Sequence, residues 1–433
     1  MEERSVRRPR RPPPGRLTAH RLHRLRLARP AGLVGLLAVL GPGLLAGLSD
    51  DDPAGITTYS ILGTEQGYSM LWVIVLSTGA LVLFHELAAR TGVVTGRGLV
   101  TLVRERLGVT STRVVVAALV VGNLGTLCAE LAGVALGGEV LGVSRLLSVP
   151  IAAIAVCALV IGSGFHRVEH VLLALSLALT AYIVAGVLAG PDWAATGRGL
   201  VEPRLPGSSD GMAIAVATLG TTLAPWGLAF MQSYAVDKRL TVGQLRDERI
   251  DVVTGALLTG VIGVFIAIAC AATLHPAGIT IHDGSDAARA LEPLAGSAAA
   301  TLFGAGILGA ALLAAAVVPL STAYSVCESR GSPAGLDRAP SGAPLFYGTY
   351  ILAMALAAVV ILIPGVPLVP VLVATQGLNA VLLLAILPFM VILGRDPAVM
   401  GAHSLGRFET GVCVTVIVAI AAACVALLAS VVG

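Results

Sequence analysis

Charge is scarce in this chain: Asp, Glu, Lys and Arg make up 12% of its 433 residues, against 56% apolar residues. A soluble domain carries about 25% charge, so the composition excludes an ordinary water-soluble fold. The six cysteines (Cys128, Cys157, Cys270, Cys327, Cys413 and Cys424) form no Cys-x-x-Cys pair and have no histidine at zinc spacing. They read as small packers in or beside apolar segments, not as a disulfide framework or a structural metal site. The net charge of +3 is modest and is not gathered into a basic surface, so nucleic acid is not an expected partner. The apolar run after Pro30 has no A-x-A-type site and leads straight into a run of acids, which excludes a cleaved signal peptide.

What is present is a series of apolar runs about 20 residues long, enough to cross a ~30 Å hydrocarbon core as helices. The expected fold class is an all-α polytopic membrane protein with about eleven transmembrane helices. These run over residues 31–62, 70–90, 114–141, 149–162, 168–188, 211–236, 250–274, 298–327, 347–363, 370–393 and 410–432. Residues 1–29 carry ten arginines and a Pro12-Pro13-Pro14 run, and they read as a disordered cytosolic tail beside anionic headgroups. With that tail inside, all but four of the 28 Lys and Arg residues fall on the cytosolic side, the exceptions being Arg145, Arg198, Arg204 and Arg289. The positive-inside bias therefore predicts a cytosolic N-terminus and, for an odd number of spans, an outside C-terminus. Division after the fifth span predicts two inverted five-helix repeats, 30–190 and 211–393, followed by an eleventh helix in 394–433.

Two interruptions stand out. Asp50-Asp51-Asp52-Pro53-Ala54-Gly55 breaks the first span, and Ala224-Pro225-Trp226-Gly227 breaks the sixth. A carboxylate at bilayer depth costs at least ~2.5–3.5 kcal/mol on insertion scales, and such a residue marks a functional site by default. Paired broken helices at corresponding places in two halves point to a transporter's substrate site. Unwinding frees backbone carbonyls, which together with a carboxylate make an oxygen-lined pocket suited to a cation. Asp52 has a plainer alternative, the N-cap of a half-helix whose first residue is Pro53. Asn123, Thr126 and Glu130 share one helical face, either as a hydrated wall or as a hydrogen-bonded packing cluster. Asp50 and Asp51 read either as partners for the unwound backbone, the favoured reading, or as acids that raise the local cation concentration near the pocket, and His85-Glu86 reads as a helix-end anchor. Asn379, one turn after Gln376, fits either a path-lining or a packing role.

The motifs together resemble the Nramp divalent-metal transporters. They are Gly41-Pro42-Gly43, Asp52-Pro53-Ala54-Gly55, Gly67-Tyr68, Leu87-Ala88-Ala89-Arg90, Gly92-Val93-Val94-Thr95-Gly96, Gly164-Phe165-His166-Arg167-Val168-Glu169 and Thr375-Gln376-Gly377-Leu378-Asn379. The resemblance implies a metal site at Asp52, Gly55, Ser49, Thr221, Ala224 and Gln376, the Ser49 and Thr221 positions offering backbone carbonyls, with Glu130, Trp226, Asn123 and Asn379 along the path. Two of these depart from the family: Gly55 stands where it has Asn, and Ala224 where it has Met. Losing the thioether removes the soft ligand, and a roomier oxygen site suits a partly hydrated Mg²⁺. The Pro225-Trp226-Gly227 stretch resembles the family's magnesium-transporting branch. Leu127 and Trp226 replace the Asp and His that the family links to proton movement.

The expectation is thus an uncoupled Mg²⁺ transporter that also takes Mn²⁺, with no cofactor and no enzymatic activity, its partners being the cation and the bilayer. The alternative is a proton-coupled Mn²⁺/Fe²⁺ transporter of the same family. A sodium-coupled amino-acid symporter of the same architecture is more distant, because the aspartates would repel a substrate carboxylate. An intramembrane aspartyl protease needs aspartates on two different spans, and the three here are contiguous.

Overall fold

A computed structural model describes residue 47 and residues 49–162, 181–282, 284–289, 296, 299–336 and 338–432. The N-terminal tail, most of the first span up to the acidic break, most of the fifth span, and the motifs Gly41–Gly43 and Gly164–Glu169 lie outside these residues. Among the described residues there is no strand. The principal helices are α1 (Pro53–Gln66), α2 (Leu71–Thr95), α3 (Leu99–Val140), α4 (Arg145–Gly162) and α5 (Ala181–Leu188). They continue as α6 (Trp193–Val201), α7 (Ser209–Thr222), α8 (Pro225–Asp237), α9 (Leu245–Thr273) and α10 (Ala299–Arg330). The last are α11 (Pro344–Leu362), α12 (Leu368–Leu383), α13 (Leu387–Arg395) and α14 (Arg407–Val432).

Among the described residues, nine stretches are long and apolar enough to cross a membrane, with α7–α8 and α12–α13 each counted as one. Apolar side chains face outward as well as inward. Leu146, Ile151 and Ile154 on α4, Val359 on α11, and Val425 and Leu428 on α14 are all exposed. A helix apolar all round is one surrounded by protein and lipid. These are the features of a multi-pass integral membrane protein.

Three details differ from the sequence expectation. The third span is the latter part of a longer helix, α3, kinked where Gly108 adopts φ 83°. That left-handed value is cheap only for glycine. The tenth span is interrupted at residues 384–386, between α12 and α13, where Pro388 opens the second piece. The connection after the fifth span carries its own helix, α6, capped by Asp192 through the amides of Ala194 and Ala195.

α3 and α10 pack along one another, and α1 is held among α9, α7 and α3. One end of the α3–α10 pair is closed by a borrowed cap. Gly98, the N-cap residue of α3, has no side chain to offer. Glu328 of α10 instead accepts from the amides of Val100 and Thr101 at 3.0 and 3.2 Å, and from Ser233 Oγ of α8 at 2.6 Å. A Cβ at residue 98 would fall on the Glu328 carboxylate. Glu328→Ala strands two helix-terminal donors and a buried hydroxyl. The expected loss is about 1–3 kcal/mol, seen as a lower Tm in detergent, with Glu328→Gln intermediate.

Candidate functional site

Both sequence breaks are real. Ser49 and Asp50 are helical, Asp51 and Asp52 are not, and α1 restarts at Pro53. In the second break α7 ends at Thr222, Leu223 and Ala224 leave the helix, and α8 restarts at Pro225. Proline at the first position of both restarts removes a donor that has no intrahelical acceptor there. Asp52 is the N-cap of α1, its Oδ1 accepting from the Gly55 amide at 2.5 Å. The capping alternative is therefore part of the geometry. It does not exhaust the side chain, since a carboxylate offers about four acceptor positions.

The breaks meet at Gly55. A Cβ there would stand 3.0 Å from the Asp50 carbonyl oxygen, 3.3 Å from Asp52 Oδ1 and 3.4 Å from Thr221 Oγ1. A carboxylate, a carbonyl and a hydroxyl thus surround the spot that glycine leaves free, and Thr221 Oγ1 is buried with no hydrogen-bond partner. Thr221 contributes its hydroxyl to this spot, whereas a carbonyl was expected of it. Glu130 of α3 is fully buried beside Asp52, the two carboxyl groups lying within hydrogen-bonding reach of one another. Hard oxygen donors that include buried carboxyl groups are what a divalent cation such as Mg²⁺, Ca²⁺ or Mn²⁺ binds.

The remaining expected residues divide. Ser49 is buried at the end of the helical turn before the break. Ala224 is buried as the N-cap of α8 and offers no side-chain donor. Trp226 is buried against Phe230, and its carbonyl accepts from Ser321 Oγ at 2.9 Å. Gln376 directs its amide elsewhere: its oxygen accepts from Asn379 Nδ2 at 3.0 Å and its nitrogen donates to Thr375 Oγ1 at 3.3 Å. Asn379 also donates to Thr126 Oγ1 at 2.9 Å, and Asn123 donates to Thr322 Oγ1 at 3.1 Å. The stripe on α3 therefore does two jobs. Asn123 and Thr126 tie α3 to α10 and α12, while Glu130 stands beside Asp52.

Two sequence readings are corrected. Asp50 and Asp51 do not serve the unwound backbone: all four of their carboxylate oxygens are buried without a hydrogen-bond partner. His85 is not a helix-end anchor. It is 1% exposed, its Nε2 has no partner, and it faces Gly227 of α8. Its neighbour Glu86 is the anchor, pairing with Arg90 at 3.1 Å and Arg249 at 2.6 Å. The signal was available in the spacing. Leu81, His85, Ala88 and Gly92 lie on one face of α2, and small residues there let α8 approach until a Cβ at Gly92 would sit 2.5 Å from the Gln232 carbonyl oxygen.

Two unwound helices that meet at buried carboxyl groups inside an apolar bundle define a membrane protein of the broken-helix type. The chain belongs to the Natural resistance-associated macrophage protein-like family, Nramp, whose sequence profile matches residues 43–430. It is 28% identical over 378 residues to the divalent metal cation transporter MntH of Aeromonas hydrophila, an alignment covering 85% of this chain and 89% of that protein. It is 30% identical over 298 residues to the protein of the same name from Yersinia pestis, covering 66% and 71%. Among solved structures it is similar to the Eremococcus coleocola manganese transporter, with a TM-score of 0.75 and 17% identity over 93% of this chain and 89% of that one. The amino-acid-bound structure of MhsT matches with a TM-score of 0.61 and 15% identity, over 90% and 98%. At these identities the structural likenesses speak for the fold.

Proposed function

We propose that this chain transports a divalent metal cation across a membrane, with Asp52 as its charged ligand. The observation that carries the reading is the convergence of the Asp52 carboxylate, the Asp50 carbonyl and the Thr221 hydroxyl on Gly55, between two unwound helices. The relatives are named divalent metal cation or manganese transporters, which supports Mn²⁺ as cargo and so the alternative in the sequence analysis. Nothing in those names supports its first expectation, Mg²⁺. The proposed frame is two inverted repeats, 30–190 and 211–393, with the N-terminus cytosolic, so that α1 and α7 lie on the outer side of the breaks.

Uncoupled Mg²⁺ transport is a second reading, and a specific observation favours it. The spot at Gly55 has oxygen donors and no thioether, and Mg²⁺ keeps much of its water when bound by one or two carboxylates. Leu127 and Trp226, both buried, offer no acidic or imidazole group at the positions the family links to protons. Proteoliposomes loaded with a metal-sensitive dye and a pH dye separate the two. Mn²⁺ uptake with parallel acidification is the proton-coupled outcome. Mg²⁺ uptake of similar size with no acidification, driven by a membrane potential worth about 2.3 kcal/mol per charge per 100 mV, is the uncoupled one. No uptake of Mg²⁺, Mn²⁺ or Ca²⁺ would overturn both.

A further inference from the structure

The Asp50 residue faces two spaces at once. Its carbonyl oxygen points to the spot at Gly55, while its carboxylate Oδ1 lies 3.6 Å from where a Cβ at Gly227 would be. His85 Nε2 lies 3.1 Å from that same point. Gly227 sits in the first turn of α8, immediately past the second break, so the absence of a side chain leaves the imidazole and the carboxylate facing one another across it. Both groups are 1% exposed, and neither Nε2 nor either Asp50 oxygen has a hydrogen-bond partner. Burying an unpaired carboxylate beside an unpaired imidazole costs several kcal/mol unless something compensates it. A cation held between them does so.

We propose that His85 Nε2 and the Asp50 carboxylate form a second position for the transported cation at Gly227, distinct from the one at Gly55 and reached from it across residue 50. This rests on the reading of the chain as a divalent metal transporter. No group of three or more His, Cys, Asp or Glu side chains that would hold a metal is found among the described residues. The position thus supplies two protein side chains and leaves the remaining coordination to water, which suits a station that must release its ion. It also has a preference that the oxygen spot at Gly55 lacks. An imidazole nitrogen favours transition metals over Mg²⁺ and Ca²⁺. A cation that passes both positions is selected twice, first as a hard divalent ion and then for tolerance of nitrogen.

The test is pulsed EPR on the full-length protein in detergent loaded with Mn²⁺, reading nitrogen modulation of the electron spin echo. The wild type is expected to show coupling to an imidazole nitrogen. His85→Gln is expected to lose it, as is Gly227→Ala, which fills the space and alters neither ligand. Asp52→Ala is expected to keep it, because the second position does not use that side chain. In liposomes, His85→Gln should lower Mn²⁺ uptake about ten-fold and Mg²⁺ uptake by much less. No nitrogen coupling in the wild type, or coupling that survives His85→Gln, would overturn the second position. Loss of the coupling in Asp52→Ala would merge the two positions into one and overturn their separation. Nitrogen coupling without Mn²⁺ uptake by the wild type would instead sink the transport reading and leave the binding position standing.

Discussion

Asp52→Asn is expected to reduce divalent-metal uptake by about 100-fold or more, the upper end of what disturbing a metal's surroundings does, while the protein keeps its thermal stability to within about 1 kcal/mol. The substitution is chosen because Asp52 has two roles at one atom. Its Oδ1 both caps α1 through the Gly55 amide and borders the spot shared with the Asp50 carbonyl and Thr221 Oγ1. Asparagine caps a helix about as well as aspartate, so the cap survives and only the negative charge is lost. Asp52→Ala removes both, and should cost roughly 1 kcal/mol of stability in addition to transport. If the residue were only a cap, Asp52→Asn would transport like the wild type and Asp52→Ala would merely be less stable. Uptake rates and Tm measured on the same preparations distinguish the two. A fully active Asp52→Asn would remove the carboxylate from the site.

Asp52, Gly55 and the two proline restarts were legible in the sequence because each breaks a rule that the surrounding helix obeys. An acid run has no business in an apolar segment, and proline forbids the helix to continue through it. The donor set at Gly55 was legible only in part. Thr221 was reached through a resemblance that implied a carbonyl, but its hydroxyl is what faces the site, and no periodicity argument fixes a side-chain rotamer. Gln376 gives its amide oxygen to its neighbour Asn379, one turn along α12. A hydrogen bond between two plausible ligands is invisible until both are placed. His85 was misread for a different reason. Adjacent to Glu86 and near Arg90, it looked like part of a charged helix end, although residues 85 and 86 point about 100° apart around a helix. Glu86 turns to Arg90 and Arg249, while His85 turns to Gly227 and Asp50. The kink at Gly108 lies in a charged stretch outside the apolar pattern that defines a span, and the interruption after Leu383 leaves that pattern intact, its one signal being Pro388.

Gly133→Ala is expected to impair transport about as severely as loss of the ligand charge, by moving the site. α3 passes α1 so closely that a Cβ at residue 133 would fall on the Pro53 ring, against its Cγ and Cβ. The proline ring cannot rotate away, because it is fixed to the backbone that opens α1. The helices must therefore separate, at a cost of typically 1–3 kcal/mol for overpacking. Pro53 adjoins Asp52, and Glu130 lies three residues before Gly133 on the same helix, so the displacement falls on both carboxylates. A control at an equally small but open position, Gly377→Ala, meets nothing within 4 Å and should leave uptake and Tm unchanged. The expected signature of Gly133→Ala is a lowered Tm together with uptake about 100-fold below the control, since a misplacement of about 1 Å costs an active constellation on that order. Wild-type uptake by Gly133→Ala would mean that the distance between α1 and α3 does not set the geometry at Asp52. The close approach would then be packing alone.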